Sequence, residues 1–217
     1  MIKKILKFFG WLLLIVIVVG FLAYLIINEP RPTGTQGDRA EMLADEMLNS
    51  LNKKAYDSIE YIEFTFLGLH SFQWNKKANN VTVRWDDNEV YLDLNQKPED
   101  YTMQEFKAYK YFVNDSFWLV APFKVRDQGV VRSFVNLKEG RGLLVTYTIG
   151  GVTPGDTYLW IVDDMGFPTA WKLWTSNVPV GGLKFTWGNW IRLQDAFFST
   201  LHQSIILDLD ITNLKVD

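Results

Sequence analysis

The stretch His70–Leu94, HSFQWNKKANNVTVRWDDNEVYLDL, decides the fold. His70, Phe72 and Trp74 alternate with Ser71 and Gln73. Val81, Val83 and Trp85 alternate with Thr82 and Arg84, and Val90, Leu92 and Leu94 with Tyr91 and Asp93. Successive side chains of a strand point to opposite faces, so a period of two marks a strand with one buried and one wet face. Asn75–Asn79 and Asp86–Asn88, between the runs, are rich in turn-forming residues. Connections this short join antiparallel neighbours.

The pattern continues down the chain. Val145, Tyr147 and Ile149 alternate with Thr146 and Thr148, Leu183, Phe185 and Trp187 with Lys184 and Thr186, and Ile205, Leu207, Leu209 and Ile211 with Asp208 and Asp210. Gly150-Gly151, Asp163–Gly166 and Gly181-Gly182 supply further turns. With the stretches near 59–67, 116–121, 129–135, 157–162 and 168–175, the expected count is ten or eleven strands. Two helices complete the α+β, mainly β, pattern. Asp38 with Glu41 reads as a capping box ahead of the stripe Leu43, Met47, Leu48 and Leu51, and Thr102 with Glu105 repeats the box ahead of Met103, Phe106 and Val113. An antiparallel meander this large has to curl, which predicts a half-open barrel with one or two covering helices.

The chain holds 15 Phe, 9 Trp and 9 Tyr in 217 residues. Curled sheets with bulky inner faces commonly enclose a ligand cavity. The residues expected to line one are Phe72, Trp74, Trp85, Tyr147, Tyr158, Trp160, Trp171, Phe185 and Trp187. The competing expectation is that they fill an ordinary core.

Upstream, Phe8–Ile27 carries no charge. About 20 apolar residues in a helix match the hydrocarbon core of a bilayer, and the run is longer than the apolar core of a signal peptide. Residues 1–27 therefore read as a cytoplasmic start and a single-pass signal anchor, with residues 8–27 in the membrane. Lys3, Lys4 and Lys7 precede the run, which places the domain outside the cytoplasm, periplasmic or extracellular. Residues 28–37, with Pro30, Pro32, Gly34 and Gly37, read as a short linker, and 38–217 as one domain. Residues 1–37 hold four basic residues and one acid. Against chain totals of 22 and 25, the domain keeps 18 and 24, a net charge of −6. That excludes nucleic-acid binding through bulk charge. With no Cys, thiolate catalysis, disulfides and lipid attachment through a thioether are excluded.

One helix, a long antiparallel meander and a mid-chain helical insertion resemble, in layout over residues 38–217, the bacterial lipoprotein carrier and receptor superfamily of the Lol system. The resemblance implies a half-open barrel that holds acyl chains against a helical lid. Unlike that carrier and receptor, this chain pairs a helical anchor with an absence of Cys. Glu63–Trp74, Val83–Trp85, Tyr91–Leu94, Ser116–Phe123 and Gly151–Trp160 resemble segments of uncharacterised bacterial envelope proteins.

Signals for catalysis are sparse. The sequence has no GxSxG, no HExxH and no phosphate-binding glycine loop. His70 falls in an alternating run, where a core or cavity-wall role is expected. His202 lies near an element boundary, where a surface position is expected. Asp86-Asp87 and Asp163-Asp164 fall in turns. Loops Ala121–Arg126 and Gly150–Gly155 are the candidate rims of a ligand entrance. The expectation is a non-catalytic, membrane-tethered domain that binds a lipid or another apolar ligand, without cofactor or metal. The alternatives are an envelope assembly partner that binds another envelope protein and, third, a hydrolase.

Overall fold

The computed structural model describes residues 2–138, 140–150 and 152–217, with side chains for these except residues 2–6 and 21–23. Helix α1 (Ile2–Ile27) is long and apolar enough over Lys7–Ile27 to cross a membrane. Three helices follow: α2 (Asp38–Ser50), α3 (Lys53–Ser58) and α4 (Met103–Val120). The strands are β1 (Tyr61–Phe66), β2 (His70–Asn75), β3 (Asn80–Trp85), β4 (Asn88–Asp93), β5 (Val130–Leu137), β6 (Gly140–Tyr147), β7 (Thr157–Val162), β8 (Pro168–Trp174), β9 (Leu183–Thr186), β10 (Gly188–Leu193), β11 (Ala196–Gln203) and β12 (Asp208–Val216).

These strands form two antiparallel sheets in place of the expected single meander. One has seven strands in the order β10-β11-β12-β1-β2-β3-β4, and the other runs β5-β6-β7-β8-β9. The alternation in His70–Leu94 gives the register directly, with Phe72 opposite Val83 and Val83 opposite Val90. The sheets meet where β9 passes into β10 through one residue, the buried Trp187. Beyond the bend Gly188 pairs with Leu201, and before it the Thr186 hydroxyl accepts from the Gln203 amide at 3.0 Å. A strand that changes sheets at a bend is how two sheets share a corner. The assembly is curled but is not a closed barrel.

Helix α4 packs on β3, β4 and β11. The capping box at its start is complete: the Glu105 amide donates to the Thr102 hydroxyl at 3.3 Å, and the Thr102 amide to the Glu105 carboxylate at 2.8 Å. The buried face is Ala108, Phe112, Asp115, Ser116, Leu119 and Val120, not the expected Met103–Phe106–Val113 stripe, since Met103 is 92% exposed. Residues 116–120, expected as strand, complete this helix, and Ala121–Lys124 continues as a 3-10 turn. Here the aromatic run Phe117-Trp118 mimics a buried strand, and the helical period of the preceding turns prevails.

Helix α2 buries Ala40, Leu43, Ala44, Met47 and Leu48 and lies mainly on β5. Its N-cap is Gly37, not Asp38. The Glu41 carboxylate turns instead to Arg126 at 2.6 Å and Arg132 at 3.0 Å. Burial raises the Glu41 carboxyl pKa, and the two guanidinium groups outweigh it and hold the group below its ordinary range. Exposed ion pairs contribute about 0.2–1 kcal/mol each, while burying a Leu or Met contributes about 1.5–3. The apolar stripe therefore holds α2 in place, and the Arg pair fixes its orientation.

The segment between α1 and α2 is docked along its length. The Glu29 amide donates to the Gly181 carbonyl at 2.8 Å, and the Glu29 carbonyl accepts from Trp174 Nε1 at 2.7 Å. Lys172 Nζ reaches the Glu29 carboxylate at 2.7 Å, and Arg31 donates to the Thr157 hydroxyl at 3.2 Å. Thr35 and Phe134 exchange two backbone hydrogen bonds of 2.9 and 2.8 Å, an isolated bridge at the middle of the free edge of β5. Residues 28–36 form a strap that runs from the β8–β9 loop to the far edge of the same sheet.

Candidate functional site

Between α4 and the inner face of the five-stranded sheet lies a half-open cavity of about 720 Å³. Helix α4 contributes Tyr109, Val113 and Phe117, one turn apart at i, i+4 and i+8. The sheet contributes Tyr147, Tyr158 and Trp171, and β2 contributes Trp74. Phe117 stacks on Trp171 at 5.8 Å between ring centroids, tilts against Tyr158 at 5.1 Å and meets Tyr147 edge-on at 5.3 Å. The Tyr147 hydroxyl is raised well above its ordinary pKa by burial, with Tyr158 and Asp127 adding to it. Burial, with Asp156, also raises Tyr158. Both phenols stay neutral at physiological pH, so the inner wall is uncharged and aromatic.

Polar groups gather toward the rim. Lys124 pairs with Asp127, and Asn114, Gln128 and Asp156 complete that side. Asp156 is nearly buried and works as a rivet. Its Oδ2 accepts from the Thr153 hydroxyl at 2.6 Å and its Oδ1 from the Ser176 amide at 3.0 Å. One carboxylate thus ties the β6–β7 loop to the β8–β9 loop, and both loops line the entrance. Volume, apolar wall and a few rim polar groups match what small-ligand sites require.

Of the nine aromatics expected to line a cavity, four line this one: Trp74, Tyr147, Tyr158 and Trp171. The other five pack elsewhere. Phe72 is fully buried, 4.7 Å from Phe64 and 6.1 Å from Phe112. Trp85 packs edge-on to Tyr111 at 5.5 Å. Trp160 and Trp187 lie 4.8 Å apart and flank Trp171, and Phe185 meets Trp118 at 4.8 Å. The two expectations, cavity wall and ordinary core, each describe part of the set. The residues missed by sequence are those on α4. The i, i+4, i+8 spacing of Tyr109, Val113 and Phe117 behind the capping box is the signal that points to them. Of the two candidate rim loops, both reach the entrance, through Lys124 and through Gly150, Val152 and Thr153.

His70 does not line the cavity. Its Nδ1 lies 2.6 Å from Asp115 Oδ2, and its ring stacks on Tyr111 at 3.9 Å. Burial raises the Asp115 carboxyl to about 6, with His70 opposing the shift. His202 is not at the surface as expected: it lies within β11 with its side chain inward, fully buried against Trp118 and Trp187, and burial pushes its imidazole down to about 4. Among the described residues no group of three or more His, Asp or Glu is placed to hold a metal ion.

The fold itself defines the class, mainly antiparallel β with a few helices. No family model matches the chain, and no curated protein matches it. Among solved structures, the crystal structure of a DUF1329 family protein from Desulfovibrio piger is similar at a TM-score of 0.40 and 9% identity, over 83% of this chain and 94% of that one. A likeness of that degree assigns neither family nor activity.

Proposed function

We propose that the protein is a single-pass membrane protein whose extracytoplasmic domain binds a lipid or another apolar ligand in the α4 cavity without chemical conversion. One observation carries this reading. The 720 Å³ aromatic cavity opens between the β6–β7 and β8–β9 loops, and the strap leaving α1 is bonded at that same end of the sheet, through Arg31 to Thr157 and Glu29 to Gly181. The strap's partners Lys172 and Trp174 alternate along β8 with the cavity-lining Trp171 and Leu173, so α1 leaves at the cavity's end of the sheet but on its outer face, and a ligand drawn from the bilayer rounds that end to reach the entrance. The neutral Tyr147 and Tyr158 phenols favour an uncharged apolar body, and the rim pair Lys124–Asp127 suits a polar head. The orientation follows from Lys3, Lys4 and Lys7 ahead of the apolar run.

Native mass spectrometry of the full-length protein, released from nanodiscs of defined phospholipid, tests the reading. The expected result is one retained lipid or acyl adduct, absent from Val178→Trp, which fills the entrance. No adduct in either protein, with the cavity lined as described, overturns it.

A further inference from the structure

The end of α1 and one end of the sheets are held together. Asn28 closes the last turn of α1, its amide donating to the Tyr24 carbonyl at 2.8 Å, while its side-chain carbonyl accepts from the Gly181 amide at 2.9 Å. The β8–β9 loop is thus within a residue or two of the point where the helix ends. β9 leaves this loop, and β11 runs antiparallel beside it, the Gln203 amide bonded to the Thr186 hydroxyl. The β11–β12 turn, Ser204–Leu207, therefore lies at the same strand ends as the β8–β9 loop.

That turn carries three bulky apolar residues, Ile205, Ile206 and Leu207, exposed by 79, 63 and 43%. It is a rigid turn. The Ser204 hydroxyl accepts from the Ile206 and Leu207 amides at 3.2 and 3.1 Å, and the Ser204 amide donates to the Leu207 carbonyl at 3.1 Å. The neighbouring β1–β2 turn, tied to β12 by the Leu67 amide on the Asp210 carbonyl, adds Leu69, which is exposed. Ile149 stands exposed on the entrance loop. At the same strand ends the β3–β4 turn, beyond β2, is acidic at Asp86-Asp87, so the apolar surface is confined to the β1–β2 and β11–β12 turns, while the β7–β8 and β10–β11 turns at the opposite ends read Asp163-Asp164-Met165 and Gln194-Asp195. Contiguous exposed apolar residues mark an interaction surface, and its place at the strand ends to which the end of α1 is bonded selects the occupant.

We infer that the Ile205–Leu207 turn is a second contact with the bilayer that α1 enters, seated in the interfacial layer beside the cavity entrance. This rests on reading α1 as a membrane anchor. A domain of net charge −6 gains nothing from anionic lipid, so the contact is apolar and forms on zwitterionic membranes.

The absence of Cys makes single-site labelling direct. Full-length Ile206→Cys and Met165→Cys, each carrying an environment-sensitive fluorophore, are reconstituted into phosphatidylcholine vesicles containing lipid brominated near the acyl carbonyls. The expected result is a blue-shifted emission at position 206, quenched at least twofold, with position 165 water-like and unquenched. Matching spectra at the two positions in protein that floats with the vesicles overturn the inference and leave the anchor reading standing. Protein that fails to float overturns both. Shielding at 206 without bromine quenching means a protein covers the turn, and it too overturns the inference.

Discussion

The Glu29 amide donates to the Gly181 carbonyl at 2.8 Å, so a residue two positions past α1 is bonded to the β8–β9 loop. The segment that reads as a linker is a structural strap, and the domain has no slack relative to its helix. Two consecutive glycines make this approach possible. A Cβ on Gly181 would lie 2.5 Å from the Trp174 ring and 2.9 Å from the Glu29 carbonyl oxygen. Gly182 has φ +79° and would meet the Glu29 side chain at 2.5 Å.

Gly181→Ala tests the clamp. The added methyl has Trp174 on one side and backbone on the other, and overpacking of this kind costs about 1–3 kcal/mol. The strap can relieve it by leaving the sheet. The expected outcome is faster amide exchange at Glu29, with Thr35 slowed as in wild type or nearly so, since Thr35 is held independently by Phe134. Hydrogen-exchange mass spectrometry over residues 28–36 checks this. Wild-type protection at Glu29 in the variant contradicts it.

The His70–Asp115 pair and His202 make opposite contributions to pH dependence. Burial holds the Asp115 carboxyl up at about 6 in the folded protein, against an unfolded value of 3.8. Between about pH 4 and 6 the folded protein keeps a proton that the unfolded chain loses, so this group makes stability fall as pH rises through that window, by at most about 3 kcal/mol. Asp115→Asn removes the titration and leaves an oxygen facing His70. Expected from urea unfolding is a stability difference, variant minus wild type, that rises from pH 4 to pH 7 by up to about 3 kcal/mol. An unchanged difference across the window rules the account out.

His202 works the other way. Its imidazole is depressed to about 4 from 6.5, so below pH 6.5 the unfolded chain takes up a proton that the folded protein refuses until near pH 4. This contribution is fully present above pH 6.5 and is lost as pH falls through about 4, again at most about 3 kcal/mol. His202→Phe keeps an aromatic ring between Trp118 and Trp187 and cannot titrate. Relative to wild type, the variant should gain stability progressively as pH drops from 6.5 to 4.5. Circular-dichroism melts at those two pH values are sufficient, and equal shifts in melting temperature at both would count against the assignment.

How far the sequence reaches can be argued from particular residues. The period-two runs from His70 to Leu94 fix three strands and their register, because each strand has one wet face and the turns between them are short. Two strands, β10 and β11, leave no period-two run in the sequence. Gly188-Asn-Trp-Ile-Arg-Leu193 has no clean alternation because β10 is an edge strand with no fully buried position, and Asn189 there adopts φ +49°. The run Ile205–Ile211 keeps the period of two, yet Ile205–Leu207 is a turn. Apolar residues alternate there without a buried face to point toward. α4 was half legible, its cap visible and its C-terminal half hidden by Phe117-Trp118.

The strap lay beyond any local pattern. Its partners Thr157, Lys172, Trp174 and Gly181 are more than a hundred residues away, and no periodicity in Asn28–Gly37 encodes a contact of that range. The same holds for the cavity. Composition made aromatic enclosure plausible, but which of nine similar rings line a space and which fill the core depends on where α4 lies across the sheets.

Thr35→Pro isolates the other end of the strap. β5 is the edge of its sheet, and the Thr35 amide on the Phe134 carbonyl, with the return bond from Phe134, is what occupies that edge. Gly34 allows it, since a Cβ there would stand 2.6 Å from the Ser133 side chain. Proline at 35 removes the donor and cannot restore the pair. The loss of one backbone pair costs about 1 kcal/mol, so the domain stays folded, but it frees the Phe134 amide and carbonyl in the middle of an edge strand that has this one bridge as its outer partner among the described residues. Such an edge pairs with a second copy. The expected outcome in detergent is concentration-dependent dimerisation, absent in wild type, with unchanged secondary structure. Multi-angle light scattering reads the mass, and a variant that remains at the wild-type mass across a tenfold concentration range shows that the strap is not what keeps the β5 edge closed.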